Sequence, residues 1–283
     1  MGGDVLLMGA VAYDPKVVTI WDGFRRWFRD QGLPFDYVLY SNYERQVEEL
    51  VAGRIDAAWN SPLAWIRAQR LAGAGGQRAI ALAMRDTDRD LTSVVVVRSD
   101  APIAEVADLE GRTVGVGTVD SPQATLLPLS HLRASGVTPT VRRFDVGVGL
   151  HGDHVGGERD AASALMAGEV DAACVIDANH LLFAQEGTLI PGATRVLTQT
   201  RAYDHCNMTV LDSRRSSDVV DHFRRLLLTM DYGDPDVRAL LDLEGLKQWR
   251  EGRVSGYQLL ETAVDESGFY DRKGAVTAAD YRP

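Results

Sequence analysis

The feature that most restricts what this chain can fold into is a motif written twice. Ala52-Gly53-Arg54-Ile55-Asp56-Ala57-Ala58 returns 115 positions later as Ala167-Gly168-Glu169-Val170-Asp171-Ala172-Ala173. Internal similarity on this scale means that one supersecondary unit is used twice. Each copy follows apolar residues at helical spacing: Tyr43, Val47, Leu50 and Val51 in the first, Ala161, Ala164 and Leu165 in the second. Glycine just past such a face stops a helix, because it alone enters the left-handed backbone region cheaply. Each copy therefore predicts a helix, a glycine cap and a strand.

The similarity extends upstream. Val5 to Ala12 reads as a buried strand, after which Asp14-Pro15 opens a helix with Val17, Trp21, Phe24 and Phe28 on one face. In the second copy Thr113 to Thr118 reads as a strand, and Ser121-Pro122 opens a helix through Leu126, Leu129 and Leu132. A capping side chain followed by proline is a strong helix start. The offset here is 107 rather than 115, so about eight residues are inserted in the second copy. Two such halves imply an α/β fold of two lobes, each a mostly parallel sheet flanked by helices. Leu91–Arg98 and Cys206–Leu211 read as crossover strands forming a hinge near 91–98 and 203–211. Lobe 1 is then 1–92 plus 212–283 and lobe 2 is 93–211. The helix Ser255–Val264 is expected to pack back on the first lobe.

In such sheets ligands sit beyond the carboxyl ends of the strands. That places the loops around Tyr13, Tyr40, Asn60 and Ser61 opposite those around Ser121, Gln123, Asp177 and Asn179. The formal net charge of -10 and pI near 5.1 offer nucleic acid no basic surface, so any anion must be attracted locally. No apolar run approaches the ~20 residues of a membrane helix. Met1-Gly2-Gly3-Asp4 carries no export signature, which predicts a cytoplasmic chain, or a periplasmic or extracellular one if a leader has been trimmed away. Cys174 and Cys206 are expected to be reduced.

Several segments together resemble the phosphate/phosphonate-binding proteins of bacterial ABC importers. They are Tyr43 to Leu50, Ala52 to Asp56, Ser61-Pro62-Leu63-Ala64-Trp65, Asp108-Leu109-Glu110-Gly111-Arg112-Thr113-Val114-Gly115-Val116 and Gly168 to Ala173. The resemblance spans roughly residues 5 to 215. It implies a type 2 periplasmic-binding-protein-like fold with a small anionic organic molecule gripped between the lobes, and transporter subunits as partners if an exported form exists. Where that family opens the second-half helix with small hydroxyl residues and glycine, this chain has Asp120-Ser121-Pro122-Gln123-Ala124. Proline removes a donor, glutamine adds one, and Asp120 opposes a dianion. A carboxylate or zwitterion suits this site better than a phosphonate dianion.

Helix N-termini attract anions through unpaired N–H groups and the helix dipole. Ser61 and Ser121 cap two of them, and Ser93 and Arg159 are further candidates for ligand contact. Plain capping explains the serines without a ligand, and surface pairing explains Arg159 equally well. The insertion packs two histidines, three acids and four glycines into Val148–Asp160. His151, His154, Glu158, His205 and Cys206 could converge as zinc or iron ligands, with His151, His154 and His205 the metal set. Alternatively His154 or His205 with Cys206 and Glu158 could serve as base and nucleophile. Flexible surface and a small buried cysteine account for the same residues more plainly. Three functions follow: a solute-binding protein; an enzyme on the same fold, whether lyase, decarboxylase or metal-assisted hydrolase; or a metabolite sensor. The run Arg85 to Asp90 reads as a solvated turn.

Overall fold

A computed structural model describes residues 5–145, 154–215 and 217–283, and in it the chain builds two separate sheets. The first copy of the repeat supplies β1 (Leu6–Val11), α1 (Lys16–Asp30), β2 (Phe35–Tyr40), α2 (Tyr43–Val51) and β3 (Ala57–Asn60). β1 pairs in parallel with both β2 and β3. Helix α3 (Pro62–Ala74) leads to β4 (Ala79–Arg85), and the chain then crosses to β5 (Ser93–Arg98) in the second sheet.

There the second copy supplies β6 (Thr113–Val116), then a π-type turn at Pro122–Leu126 running into α4 (Leu127–Ala134). β7 (Thr140–Arg143), α5 (His154–Met166), β8 (Ala172–Ile176), α6 (Asp177–Glu186) and β9 (Thr194–Gln199) follow. β6 pairs in parallel with β7 and β8, the same arrangement as in the first half. The chain returns through β10 (Asn207–Leu211) and closes with α7 (Asp212–Arg215), α8 (Asp218–Thr229), α9 (Pro235–Glu244), β11 (Trp249–Glu251) and α10 (Gln258–Ser267).

The repeated glycine and aspartate do the same job in both halves. Gly53 and Gly168 adopt φ of +70° and +73°. One residue on, Arg54 N–H donates to Glu49 O and Glu169 N–H to Ala164 O, closing each helix end. Asp56 then accepts from Leu7 N at 2.9 Å while Asp171 accepts from Thr113 N at 2.9 Å, so each aspartate pins the start of the middle strand of its parallel trio. The amphipathic face of α1 buries Val17, Ile20, Trp21, Phe24 and Phe28. Phe28 meets Phe35 at 4.8 Å and Phe223 of α8 at 5.1 Å. Each such ring contributes about 1.5–3 kcal/mol by leaving water.

The two-lobed α/β architecture is as expected, with three differences. Only the three central strands of each repeat are parallel, and the sheets are mixed, because β10 runs antiparallel to β3 and β4 and β5 antiparallel to β8 and β9. The strands expected to cross do not themselves cross: β5 lies wholly in the second sheet and β10 in the first. The chain passes between lobes just outside them, where Leu91 and Tyr203 form an antiparallel bridge, each N–H reaching the other's carbonyl at 2.9 Å. Residues 207–211 therefore belong with the first sheet rather than with the second lobe. Finally, α10 packs against α3 of the first lobe and also against α4 and the π-type turn of the second. Among the described residues no helix is long and apolar enough to cross a membrane.

Candidate functional site

The carboxyl ends of β1, β2, β3 and β4 and the start of β10 lie at one end of the first sheet, and the ends of β6 and β8 play the same part in the second. Tyr13 stands at the first edge, 56% exposed. Tyr40 does not turn to the cleft; its ring packs under α2 with Leu50, Ile55 and Ala58, because strand alternation directs it to the helix-covered face. Asn60 is also turned inward. Its carbonyl accepts from Gln46 at 2.8 Å and its amide donates to Thr209 at 2.9 Å. The chain of bonds continues through Asn207 and Tyr257 to the carbonyl of His205. Asn60 thus belongs to a buried polar network that fixes the lobe floor.

Both serines placed at helix starts are caps. Ser61 accepts from Ala64 N at 3.2 Å and Ser121 from Ala124 N at 3.1 Å. Thr118, Asp120, Ser121 and Gln123 are all buried. Gln123 is 6% exposed and its Oε1 has no hydrogen-bond partner among the described residues. Trp65, buried on α3 in the layer between the lobes, likewise leaves its Nε1–H unpartnered among those residues. Unmet polar atoms inside a protein are rare. Ser93 ties this turn to the crossover, donating to the Gln123 carbonyl at 2.6 Å and sharing a 2.8 Å bond with the Tyr203 hydroxyl.

The remaining second-lobe candidates brace the scaffold. Glu158 accepts from Ile176 N at 2.9 Å and from Asn179 at 3.0 Å, which joins α5 to β8 and α6. Asp177 accepts from Thr92 at 2.7 Å. Arg159 pairs with Glu186 at 2.7 Å and its guanidinium lies over the Phe183 ring. His151 and the side chain of His154 lie outside the described residues.

At the crossover the expected His205 and Cys206 join a cluster whose other members carried no such signal. Arg85 and Asp88, expected in a solvated turn, form a buried pair: Arg85 Nε donates to one carboxylate oxygen at 2.6 Å and Nη2 to the other at 2.9 Å. Arg85 also donates to the Glu244 carbonyl at 2.7 Å and packs over Trp59. Asp88, His205 and Cys206 present donor atoms within 4.8 Å of one another, the one such group among the described residues. His205 Nδ1 lies 3.2 Å from Cys206 Sγ and 3.6 Å from Asp88 Oδ1. A divalent ion would have to compete with the guanidinium for both carboxylate oxygens and with the Cys206 N–H, which reaches Oδ1 at 3.2 Å. Burial, then the Asp88 carboxylate, hold the Cys206 thiol well above its usual range, the opposite of what a nucleophile requires. Burial likewise pushes the Cys174 thiol up to about 12, and both thiols are free.

Glu244 gives this cluster a pH dependence. Burial raises its carboxyl from 4.5 to about 7, against the opposing pull of Arg85. The folded chain therefore holds a proton the unfolded chain has released, and its contribution is complete below pH 4.5 and lost as pH rises through about 7. Glu244→Gln is expected to flatten the melting temperature across that window; a variant that still loses stability there would place the titration elsewhere.

A family model described as "ABC transporter, phosphonate, periplasmic substrate-binding protein" matches residues 10–257. No curated protein matches the sequence. Among solved structures, the phosphonate-binding PhnD1 of Prochlorococcus marinus, in complex with methylphosphonate, is 17% identical with a TM-score of 0.66, over 93% of this chain and 97% of that one. A Xanthomonas citri protein bound to ATP gives 17% and 0.67, over 93% and 96%. The aliphatic sulphonate-binding protein SsuA of Escherichia coli gives 17% and 0.53, over 93% and 84%. At these identities the structures share the fold.

Proposed function

The chain belongs to the phosphonate periplasmic substrate-binding family of ABC transporters, and from that premise we propose that it is a solute receptor enclosing a small anionic ligand at the Ser121 helix start. The observation that carries the site is the buried Gln123 amide, whose unmatched oxygen calls for a donor such as a ligand ammonium, beside a serine-capped helix N-terminus. An anion is drawn to that helix end by its dipole. Asp120, buried next to it with Oδ1 accepting from Thr118 at 2.8 Å, disfavours a second negative charge. A monoanion or a zwitterion carrying an ammonium group fits best, such as an aminoalkylphosphonate or an amino acid-like carboxylate. The family's description supports the periplasmic alternative that the sequence left open beside the cytoplasmic one, with transporter subunits as the partners that would take up the solute.

Calorimetry with methylphosphonate, 2-aminoethylphosphonate, succinate and an alkylsulfonate tests this reading. The zwitterion is expected to bind tightest, and Ser121→Ala to weaken it about tenfold or more, the worth of a hydrogen bond to a charged group. Loss of the cap should cost only about 1 kcal/mol of stability. Equal affinity in wild type and Ser121→Ala would remove this helix start from the site.

A further inference from the structure

The C-terminal 26 residues, 258–283, touch both lobes. On the first lobe, Arg67 Nε donates to the Gly274 carbonyl at 2.9 Å, and Arg70 reaches the carbonyls of Tyr270 at 2.9 Å and Asp271 at 3.0 Å. Gly274, at φ +86°, comes so near that an added Cβ would lie 3.2 Å from the Arg67 carbonyl. The hydroxyls of Tyr270 and Tyr281 donate to the buried Glu44 carboxylate at 2.8 and 3.2 Å. Burial and that carboxylate, with Asp120 adding to them, push the Tyr281 hydroxyl up, so it remains a donor.

On the second lobe the same segment makes two ion pairs. Glu266 of α10 meets Arg133 of α4 at 2.6 Å, and Asp280 meets Arg143, at the cleft end of β7, at 2.9 Å. Between these anchors one apolar cluster runs from Trp65 and Ile66 on α3, through Leu260 and Val264 on α10, to Leu126 and Leu127 of the second lobe. Among the described residues the covalent links between the lobes are the two crossovers, so a third, noncovalent connection bears directly on how they part.

We propose that residues 258–283 form a strap, anchored on the first lobe at Glu44, Arg67 and Arg70 and clasped to the second through Glu266–Arg133 and Asp280–Arg143, which holds the lobes together before a solute arrives. The strap favours the arrangement in which the lobes meet, so it opposes their opening. Its release populates an open form of the ligand-free protein, speeds solute exit and weakens apparent affinity in proportion to the closed population lost.

Charge reversal at the clasp, Glu266→Lys with Asp280→Lys in the full chain, turns both attractions into repulsions at partly exposed positions without touching the core. Small-angle scattering of the ligand-free protein is expected to show a larger radius of gyration for the variant. Stopped-flow tryptophan fluorescence with 2-aminoethylphosphonate is expected to show dissociation faster by about tenfold, as two lost and inverted ion pairs allow, and less so at high salt. Adding Arg133→Glu and Arg143→Glu should restore wild-type scattering and rates. Ligand-free scattering identical to wild type, or failure of the restoring pair, would overturn the strap. The scattering arm needs no ligand: if 2-aminoethylphosphonate binds neither protein, the ligand reading fails while scattering still decides the strap.

Discussion

Asp88→Ala is expected to lower stability by about 3–5 kcal/mol, the usual penalty for leaving a buried charge without its partner. Asp88 is 1% exposed and accepts from Arg85 at both carboxylate oxygens, and among the described residues the one other carboxylate near Arg85 is Glu244 at 3.3 Å. With Glu244 itself held partly protonated near neutrality, nothing remains to balance the guanidinium. The loss is a large fraction of what a folded domain has in reserve, and urea unfolding at pH 7 measures it. The same pair sets an acid limit. Arg85 draws the Asp88 carboxyl down from 3.8 to about 2 against the cost of burial, so its contribution is whole above pH 3.8 and is lost as pH falls through about 2. By contrast, His205→Ala removes a half-buried ring whose 3.2 Å contact is with a thiol, and should cost well under half as much. If His205→Ala matched Asp88→Ala in cost, the cluster would be organised around the histidine rather than around the charge pair.

This cluster marks where reading the sequence reaches its limit. The run Arg85-Asp86-Thr87-Asp88-Arg89-Asp90 has the composition of a solvated turn, and Thr87 and Asp90 are indeed exposed. What buries Arg85 and Asp88 comes from Glu244 and Cys206, far along the chain, and no local period encodes so distant a contact. The repeat was legible for the converse reason. Helix face, glycine cap and strand-pinning aspartate all lie within a few residues of one another, so local chemistry specifies them, and two copies specify the lobes. Within the site, position was legible and direction was not. Asn60 and Tyr40 do end strands at the cleft, yet one feeds a buried network and the other fills the core. Gln123 was found because proline after a capping serine announces a helix start; Glu44, mid-way through a polar run at the start of α2, carried no comparable signal until two tyrosines from the far C-terminus closed on it.

Gly256→Ala is expected to cost about 3 kcal/mol or more, although an alanine there meets no backbone obstacle of its own. A Cβ at Gly256 would stand 2.1 Å from Asp204 Cγ and 2.2 Å from its Oδ2. The carboxylate cannot step aside. Arg253 Nε holds Oδ2 at 2.6 Å, Arg253 Nη2 holds Oδ1 at 2.5 Å, and Asp90 N–H donates to Oδ1 at 3.2 Å, while Asp204 N–H is tied to the Gly256 carbonyl at 3.0 Å. Relief of the clash therefore breaks a charged network or moves the return crossover, and either exceeds simple overpacking. Gly73→Ala is the matched comparison: it lies inside α3 with nothing within 4 Å of the new methyl, and should be neutral or stabilising by a few tenths of a kcal/mol up to about 1. Because Asp204 sits between Tyr203 of the interlobe bridge and His205, the Gly256 variant should also disturb how the lobes meet. Equal unfolding midpoints for the two alanine variants would mean that the crossover yields freely, and the hinge would then be softer than the close approach of its glycine implies.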